Sequence, residues 1–141
     1  MLFMDFKQAF DSIDRYELYQ VMEDMKIPHK LNRLVKMTMK NTTARVKVTN
    51  KLSNSFTFNS GVRQGDRLST TLFILALHHG VHKIDQRGTI FTKLSPICAY
   101  ADDIVIVTRT QKKLTEVYLE LEDETSKLGM GINEKKTKYM A

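Results

Sequence analysis

A single cysteine, Cys98, excludes an internal disulfide and leads to the expectation of a reducing compartment. Its place in an apolar run predicts core packing rather than reactivity. No apolar run approaches a membrane span, because the longest, Leu72 to Leu77, falls far short of the ~20 residues required. No basic segment precedes an apolar one at the N-terminus, so no targeting signal is seen and a soluble, unprocessed, intracellular protein is expected. Internal repeats, low-complexity tracts and long linkers are missing too. What is present is an excess of cations: the formal net charge is +6 and the pI about 9.4, which favours polyanionic partners without specifying one. The 141 residues suit one domain, long enough to bury roughly 68 to 70% of its unfolded surface.

Periodicity gives the elements. Leu2 to Asp5 reads as the end of a buried strand, and Phe6 to Ser12 as a turn packed through Phe6 and Phe10. Asp14 and Glu17 form a capping-box pair, with Ile13 and Leu18 placed as a hydrophobic staple. Leu18, Val21, Met22 and Met25 then repeat at helical spacing. Pro28 breaks that helix, and Leu31, Leu34, Val35 and Thr38 mark a second one to about Lys40, with Lys30, Arg33, Lys36 and Lys40 on its polar face. From Thr43 the period becomes two, with Ala44, Val46 and Val48 on one side and Arg45 and Lys47 on the other. Asn50-Lys51 turns this strand into Ser55 to Asn59, where Phe56 and Phe58 complete a hairpin. Arg45 and Lys47 suit either a solvated face or nucleic-acid phosphate.

Ser69 or Thr70 is expected to cap a helix over Thr71 to about Lys83, whose first half is apolar all round and therefore buried. His78, His82 and Asp85 in this region have metal-ligand spacing, although no further strong ligand supports a metal site. Gly88 to Phe91 is expected to form a short strand. Leu114, Val117, Leu121 and Leu128 predict an amphipathic helix ended by Gly129 in a left-handed conformation. Strands mixed with helices on one face of an antiparallel sheet make the expected fold class α+β.

Between these helices lies Ile97 to Val107, two apolar runs around Asp102 and Asp103, which reads as a β-hairpin with carboxylates at its tip. Two like charges about 4 Å apart repel by roughly 1 kcal/mol in water and about 4 kcal/mol at an effective dielectric of 20. A divalent cation would remove that cost, while local hydrogen bonding in a turn is the other use of an Asp-Asp pair.

Tyr100-Ala101-Asp102-Asp103 between hydrophobic runs resembles the catalytic motif of reverse transcriptases. Three further stretches follow that family's order: Phe3 to Asp11, Gly61 to Asp66, and Gly129 to Lys138. Their wording is similar to the palm of non-LTR retrotransposon reverse transcriptases. The resemblance implies a polymerase palm-like antiparallel sheet with helices packed on one face. Residues 1–141 would then be a partial reverse transcriptase domain, palm with part of the fingers, the remaining fingers and the thumb being absent.

The implied activity is RNA-directed DNA polymerisation, in which a primer 3′-hydroxyl attacks the α-phosphate of a deoxynucleoside triphosphate. The implied cofactors are two Mg²⁺ ions, with Mn²⁺ able to substitute, and the implied partners an RNA template, a DNA primer and the nucleotide. A nuclear site or a cytoplasmic ribonucleoprotein is the implied location. By motif position Asp5, Asp102 and Asp103 are the metal acids, joined by the carbonyl of Phe6, and Asp5 is preferred to Asp11 because it directly follows the apolar strand. Phe10 matches the aromatic residue that excludes a ribose 2′-hydroxyl. Gln64 and Gly65 match the element that approaches nucleotide and template, Tyr100 and Ala101 lie beneath the primer end, and Lys136 matches the lysine that protonates pyrophosphate. Arg67 and Thr70 depart from the pattern, standing where prolines are usual. The competing functions are a nucleic-acid-binding module of the RNA-recognition type and an inactive transposon-derived fragment.

Overall fold

A computed structural model describes residues 1–84 and 97–140. In chain order the elements are β1 (Leu2–Met4), β2 (Phe6–Lys7), α1 (Ala9–Ser12), α2 (Arg15–Asp24), α3 (His29–Met39), β3 (Thr43–Ala44), β4 (Lys47–Val48), β5 (Lys51–Leu52), β6 (Phe56–Thr57), α4 (Arg67–Lys83), β7 (Ile97–Tyr100), β8 (Asp103–Ile106), α5 (Gln111–Lys127), β9 (Gly131–Ile132) and β10 (Lys138–Tyr139). The fold is α+β, as expected. The strand expected over Gly88 to Phe91 and the Asp85 of the spaced His group lie outside the described residues.

One antiparallel sheet has the strand order β10-β1-β8-β7. Directly paired residues of antiparallel strands project to one face. The pairs Leu2↔Ile106 and Met4↔Ile104 therefore share one face, while Phe3, Val105 and Cys98 share the other. Met4, Ile104 and Ile106 join a single core with Phe73 and Leu77 of α4 and Leu114, Val117 and Leu121 of α5. Phe3, Cys98 and Tyr100 are exposed on the opposite side. This corrects the packing role expected for Cys98: it is exposed on the outermost of the described strands, where alternation points it away from the helices.

Helix starts follow local chemistry. The Asp14 carboxylate accepts the N–H groups of Tyr16 (2.7 Å) and Glu17 (3.2 Å), capping α2 as predicted. The reciprocal half of the box is replaced, because the Asp14 N–H donates to the Leu128 carbonyl (2.9 Å). Met25 stands past the end of α2 and is exposed, unlike Leu18, Val21 and Met22. For α4 the cap is Asp66, which accepts the Leu68 N–H (3.1 Å) and starts the helix at Arg67 rather than at Thr71. Ile74 in its apolar run is exposed. Gly129 ends the α5 region at φ +80, as expected, and a Cβ there would stand 2.5 Å from the Ser12 carbonyl oxygen.

Three segments differ from their patterns. Phe6 to Ser12 is a short strand and a helical turn, because Phe6 and Lys7 pair with Ile132 and Gly131. In α3 the buried face is Asn32, Val35 and Met39, and the expected Leu31 and Leu34 are exposed. Asn32 is 3% exposed, yet neither its side-chain nitrogen nor its oxygen has a hydrogen-bond partner. The expected hairpin exists as two short ladders, β3 with β6 and β4 with β5, turning at residues 49 and 50. Both of its faces are open, so Val46, Val48, Leu52 and Phe56 are exposed.

A buried arginine fixes the hairpin's base. Arg15 Nε donates to the Gly61 carbonyl (2.7 Å), and Nη1 donates to the Met39 carbonyl (2.8 Å), the Thr42 hydroxyl (3.2 Å) and, at 3.5 Å, the Phe58 carbonyl. Its guanidinium lies 5.3 Å from the Phe58 ring centroid. Burial lowers its pKa from the ordinary arginine value, the cost of a cation held by carbonyl dipoles rather than by a carboxylate. Among the described residues no helix is long and apolar enough to cross a membrane.

Candidate active site

Asp5 stands where the N-terminal strand changes partners. Residues 2–4 pair with β8 and residues 6–7 with β9, and between them the Asp5 carbonyl accepts the Asn133 N–H (2.8 Å). Continuing the β1–β8 register by one residue beyond Met4↔Ile104 brings Asp5 level with Asp103, at the tip of the β7–β8 hairpin. The tip is a two-residue turn, Ala101-Asp102, closed by the pair Tyr100↔Asp103. Ala101 has φ +53, a conformation that costs an L-residue roughly 1 to 2 kcal/mol. The core strands thus present the tip carboxylates beside Asp5.

A cavity of about 320 Å³ opens here, lined among others by Asp5, Phe10, Gln64, Asp102 and Lys136. Phe6 also borders it, but its ring is buried edge-on to Phe73 (centroids 6.4 Å), which leaves the backbone as its polar contribution. Phe10 stacks on the fully buried Phe73 (4.9 Å, 28° between planes) and still lines the cavity, so packing and a wall position coexist. A cavity of about 290 Å³ elsewhere, lined by Leu2, Leu114, Tyr118 and Tyr139 among others, has one carboxylate, Glu134. Acids also line a smaller cavity of about 90 Å³, where Glu17, Asp24 and Glu124 stand with Lys83 and Lys127; the Asp5 cavity is the one that gathers residues of the sequence motifs.

Lys136 Nζ is 2.9 Å from Asp5 Oδ2. The pair is close but poorly aligned: Oδ2 is buried and has no hydrogen bond of good geometry. The contact with Asp5 raises the Lys136 pKa above the ordinary lysine value, and the charges of Asp102 and Asp103 add to it. An ammonium is therefore the local counter-charge to all three acids, although its side chain is 69% exposed and that of Asp5 only 14%.

The remaining expected residues are more dispersed. Tyr100 is 85% exposed on the open sheet face, and neither it nor Ala101, Asp103 or Gly65 lines the cavity. Gln64 does, because the loop before it is pinned: the Gly61 N–H donates to the Ile13 carbonyl (2.8 Å) and the Val62 N–H to the Phe10 carbonyl (2.7 Å). Gly61 has φ +71, and a Cβ would stand 2.6 Å from the Asp11 carbonyl oxygen. Gln8 and Asp11 also line the cavity. Asp11 was visible in sequence as the second acid of its stretch, whereas nothing in the pattern marks Gln8. His78 and His82 face each other on α4 with ring centroids 4.9 Å apart. Among the described residues no three His, Cys, Asp or Glu side chains are grouped to hold one metal ion.

The donor set still fits a hard cation. Asp5 offers a buried carboxylate oxygen whose neighbour, the exposed Lys136 ammonium, a cation could replace, and Asp102 offers a second carboxylate on the same cavity. Mg²⁺ keeps several waters and takes only one or two carboxylates alongside substrate phosphates, so a tight three-residue cage is not required.

Comparison with known proteins agrees with the motifs. Over 140 residues the chain is 24% identical to a retrovirus-related Pol polyprotein from the type-1 retrotransposable element R2 of Nasonia vitripennis, covering 98% of this chain and 14% of that protein. A corresponding R2 polyprotein of Popillia japonica is 26% identical over 108 residues, covering 74% of this chain and 18% of that one. The chain thus spans less than a fifth of either relative. Among solved structures, telomerase from Candida albicans in complex with a TWJ fragment of telomeric RNA superposes with a TM-score of 0.62 at 14% identity, over 99% of this chain and 26% of that one. That likeness shows the palm-type fold. The family model described as reverse transcriptase (RNA-dependent DNA polymerase) matches residues 1–141, and the chain belongs to that family.

Proposed function

We propose that this chain is the catalytic palm, with part of the fingers, of a retrotransposon RNA-directed DNA polymerase that extends a DNA primer on an RNA template. The observation that carries the reading is one cavity shared by Asp5 and Asp102, in which the buried Asp5 Oδ2 faces the Lys136 ammonium at 2.9 Å. Asp5 and Asp102 would hold Mg²⁺, with Asp103 in a less direct role and the Phe6 backbone beside them. When bound, a pair of such ions lowers the pKa of an attacking hydroxyl and stabilises the leaving oxygen. The chain's own groups do the rest: Phe10 walls the cavity where a ribose 2′-hydroxyl would enter, Gln64 borders the nucleotide, and the Lys136 ammonium stands ready to give its proton to pyrophosphate.

The test is primer extension on RNA by a protein carrying this chain together with the flanking regions of a full polymerase. Asp102→Asn should lower the rate at least a thousandfold, equivalent to about 4 kcal/mol of barrier. Undiminished synthesis by that variant would refute the assignment, and no synthesis by the unsubstituted protein would leave the inactive-fragment reading in its place.

A further inference from the structure

Residues 25–65 contain nine of the 22 lysines and arginines and none of the 16 acids. The other thirteen cations are outnumbered by acids, so this segment carries +9 while the rest of the chain carries −3. It comprises α3, the two-ladder hairpin and the loop into Gln64. All nine cations are exposed, and among the described residues only Lys36 pairs with an acid, Glu23 at 3.2 Å. Arg33, Lys36 and Lys40, three and four residues apart, share one side of α3, where like charges repel. Ordinary soluble surfaces intersperse both signs. A surface of one sign over 41 residues calls for a partner that supplies the other.

Two further observations narrow the partner. The hairpin that carries Arg45, Lys47 and Lys51 also exposes Phe56 and Val48, the latter 66% exposed, so cations alternate with apolar and aromatic surface. The hairpin is also firmly mounted: Arg15 ties Met39, Thr42, Phe58 and Gly61 together at its base, and the next residues are pinned beside the Asp5 cavity. Cations to meet a phosphate chain, an aromatic face to stack a base and a fixed orientation are the recurrent parts of a nucleic-acid surface.

We propose that this acid-free arm is a nucleic-acid docking surface separate from the Asp5 cavity, with Arg45, Lys47 and Lys51 on backbone phosphates and Phe56 against a base. The choice of nucleic acid over another polyanion rests on the polymerase reading; the existence of the surface does not. Because the three cations are exposed, replacing them leaves the core untouched, which circular dichroism will verify.

The experiment is fluorescence anisotropy of a labelled 20-nucleotide RNA titrated with the 141-residue chain at several salt concentrations. The triple variant Arg45→Ala, Lys47→Ala, Lys51→Ala should bind at least tenfold more weakly. The slope of log K against log salt should shrink by about two, from about 0.7 per phosphate contact on a single strand. The triple variant Lys112→Ala, Lys113→Ala, Lys127→Ala on α5 removes the same charge and should weaken binding less than threefold. Equal losses in the two variants, no loss in the arm variant, or no RNA binding by the parent chain would each overturn the proposal. So would arm-dependent capture by phosphatidylserine vesicles at least as tight as capture of RNA, which would assign the arm to a membrane surface. The two readings separate cleanly. Arm-dependent RNA binding together with no primer extension by the unsubstituted protein would remove the polymerase reading and leave the arm.

Discussion

The sheet that carries the acids and the arm that carries the cations are held in opposite ways. Around Asp5 and Asp102 the strands are registered residue by residue, and their inner face is sealed by Met4, Ile104 and Ile106 against α4 and α5. The arm has two-residue strands with both faces open, and it is fixed at its root by the hydrogen bonds of one buried guanidinium. Apolar burial makes the acid site stiff at the cost of an uncovered outer face. Polar clamping lets the arm stay exposed and still point one way. The two regions meet at Gly61, where the end of the hairpin passes against the backbone of Asp11.

Breaking that junction should have the largest effect. Gly61→Ala puts a Cβ 2.6 Å from the Asp11 carbonyl oxygen at a positive φ, and neither backbone can yield cheaply. A loss of about 3 kcal/mol or more in urea denaturation is expected, at the upper end of single-residue effects. Arg15→Met should cost about 2 to 4 kcal/mol, because it removes the donor to buried carbonyls while keeping much of the volume. Its distinguishing sign is spatial: hydrogen exchange should rise over residues 42–60 before it rises in β1 and β8. Uniform acceleration through both regions would erase the contrast between clamp and core.

Two smaller changes sharpen the comparison. Asn32 is buried at the root of the arm with no side-chain partner, so Asn32→Leu should stabilise the chain by about 1 to 2 kcal/mol in the same denaturation experiment. The smallest effect concerns His79 on α4. Burial lowers its pKa first, Lys83 and His78 lower it further, and Asp24 and Glu124 oppose them. The unfolded chain therefore binds the proton better. The neutral-histidine contribution to stability is fully present above the ordinary value near 6.5 and is lost as pH falls towards the depressed folded value. His79→Gln should flatten the stability profile in that window, and an unchanged profile would count against this assignment.

These contrasts also explain which features could be read from the residues. The Asp14 cap, the α5 stripe and the hairpin around Asp102 were legible because each is a local pattern with a local cause. Cys98 and Ile74 depart from their patterns because periodicity says which residues share a face, not whether that face is covered. Leu31 and Leu34 mark an apolar side of α3, yet Asn32 is the residue that packing buries. The cavity shared by Asp5 and Asp102 was reached through motif order, whereas the contact of Lys136 with Asp5 depends on a strand exchange from β8 to β9 that no spacing encodes. Arg15 gave no signal at all, since its acceptors are main-chain carbonyls and one hydroxyl.

The central claim is that Asp5 and Asp102 share a divalent cation, and a crystal of this chain soaked in Mn²⁺ tests it most directly. The account predicts an anomalous peak within about 2.2 Å of an oxygen from each carboxylate, with Lys136 moved off Asp5. A peak on one acid alone, or none while the Lys136–Asp5 pair persists, would contradict it.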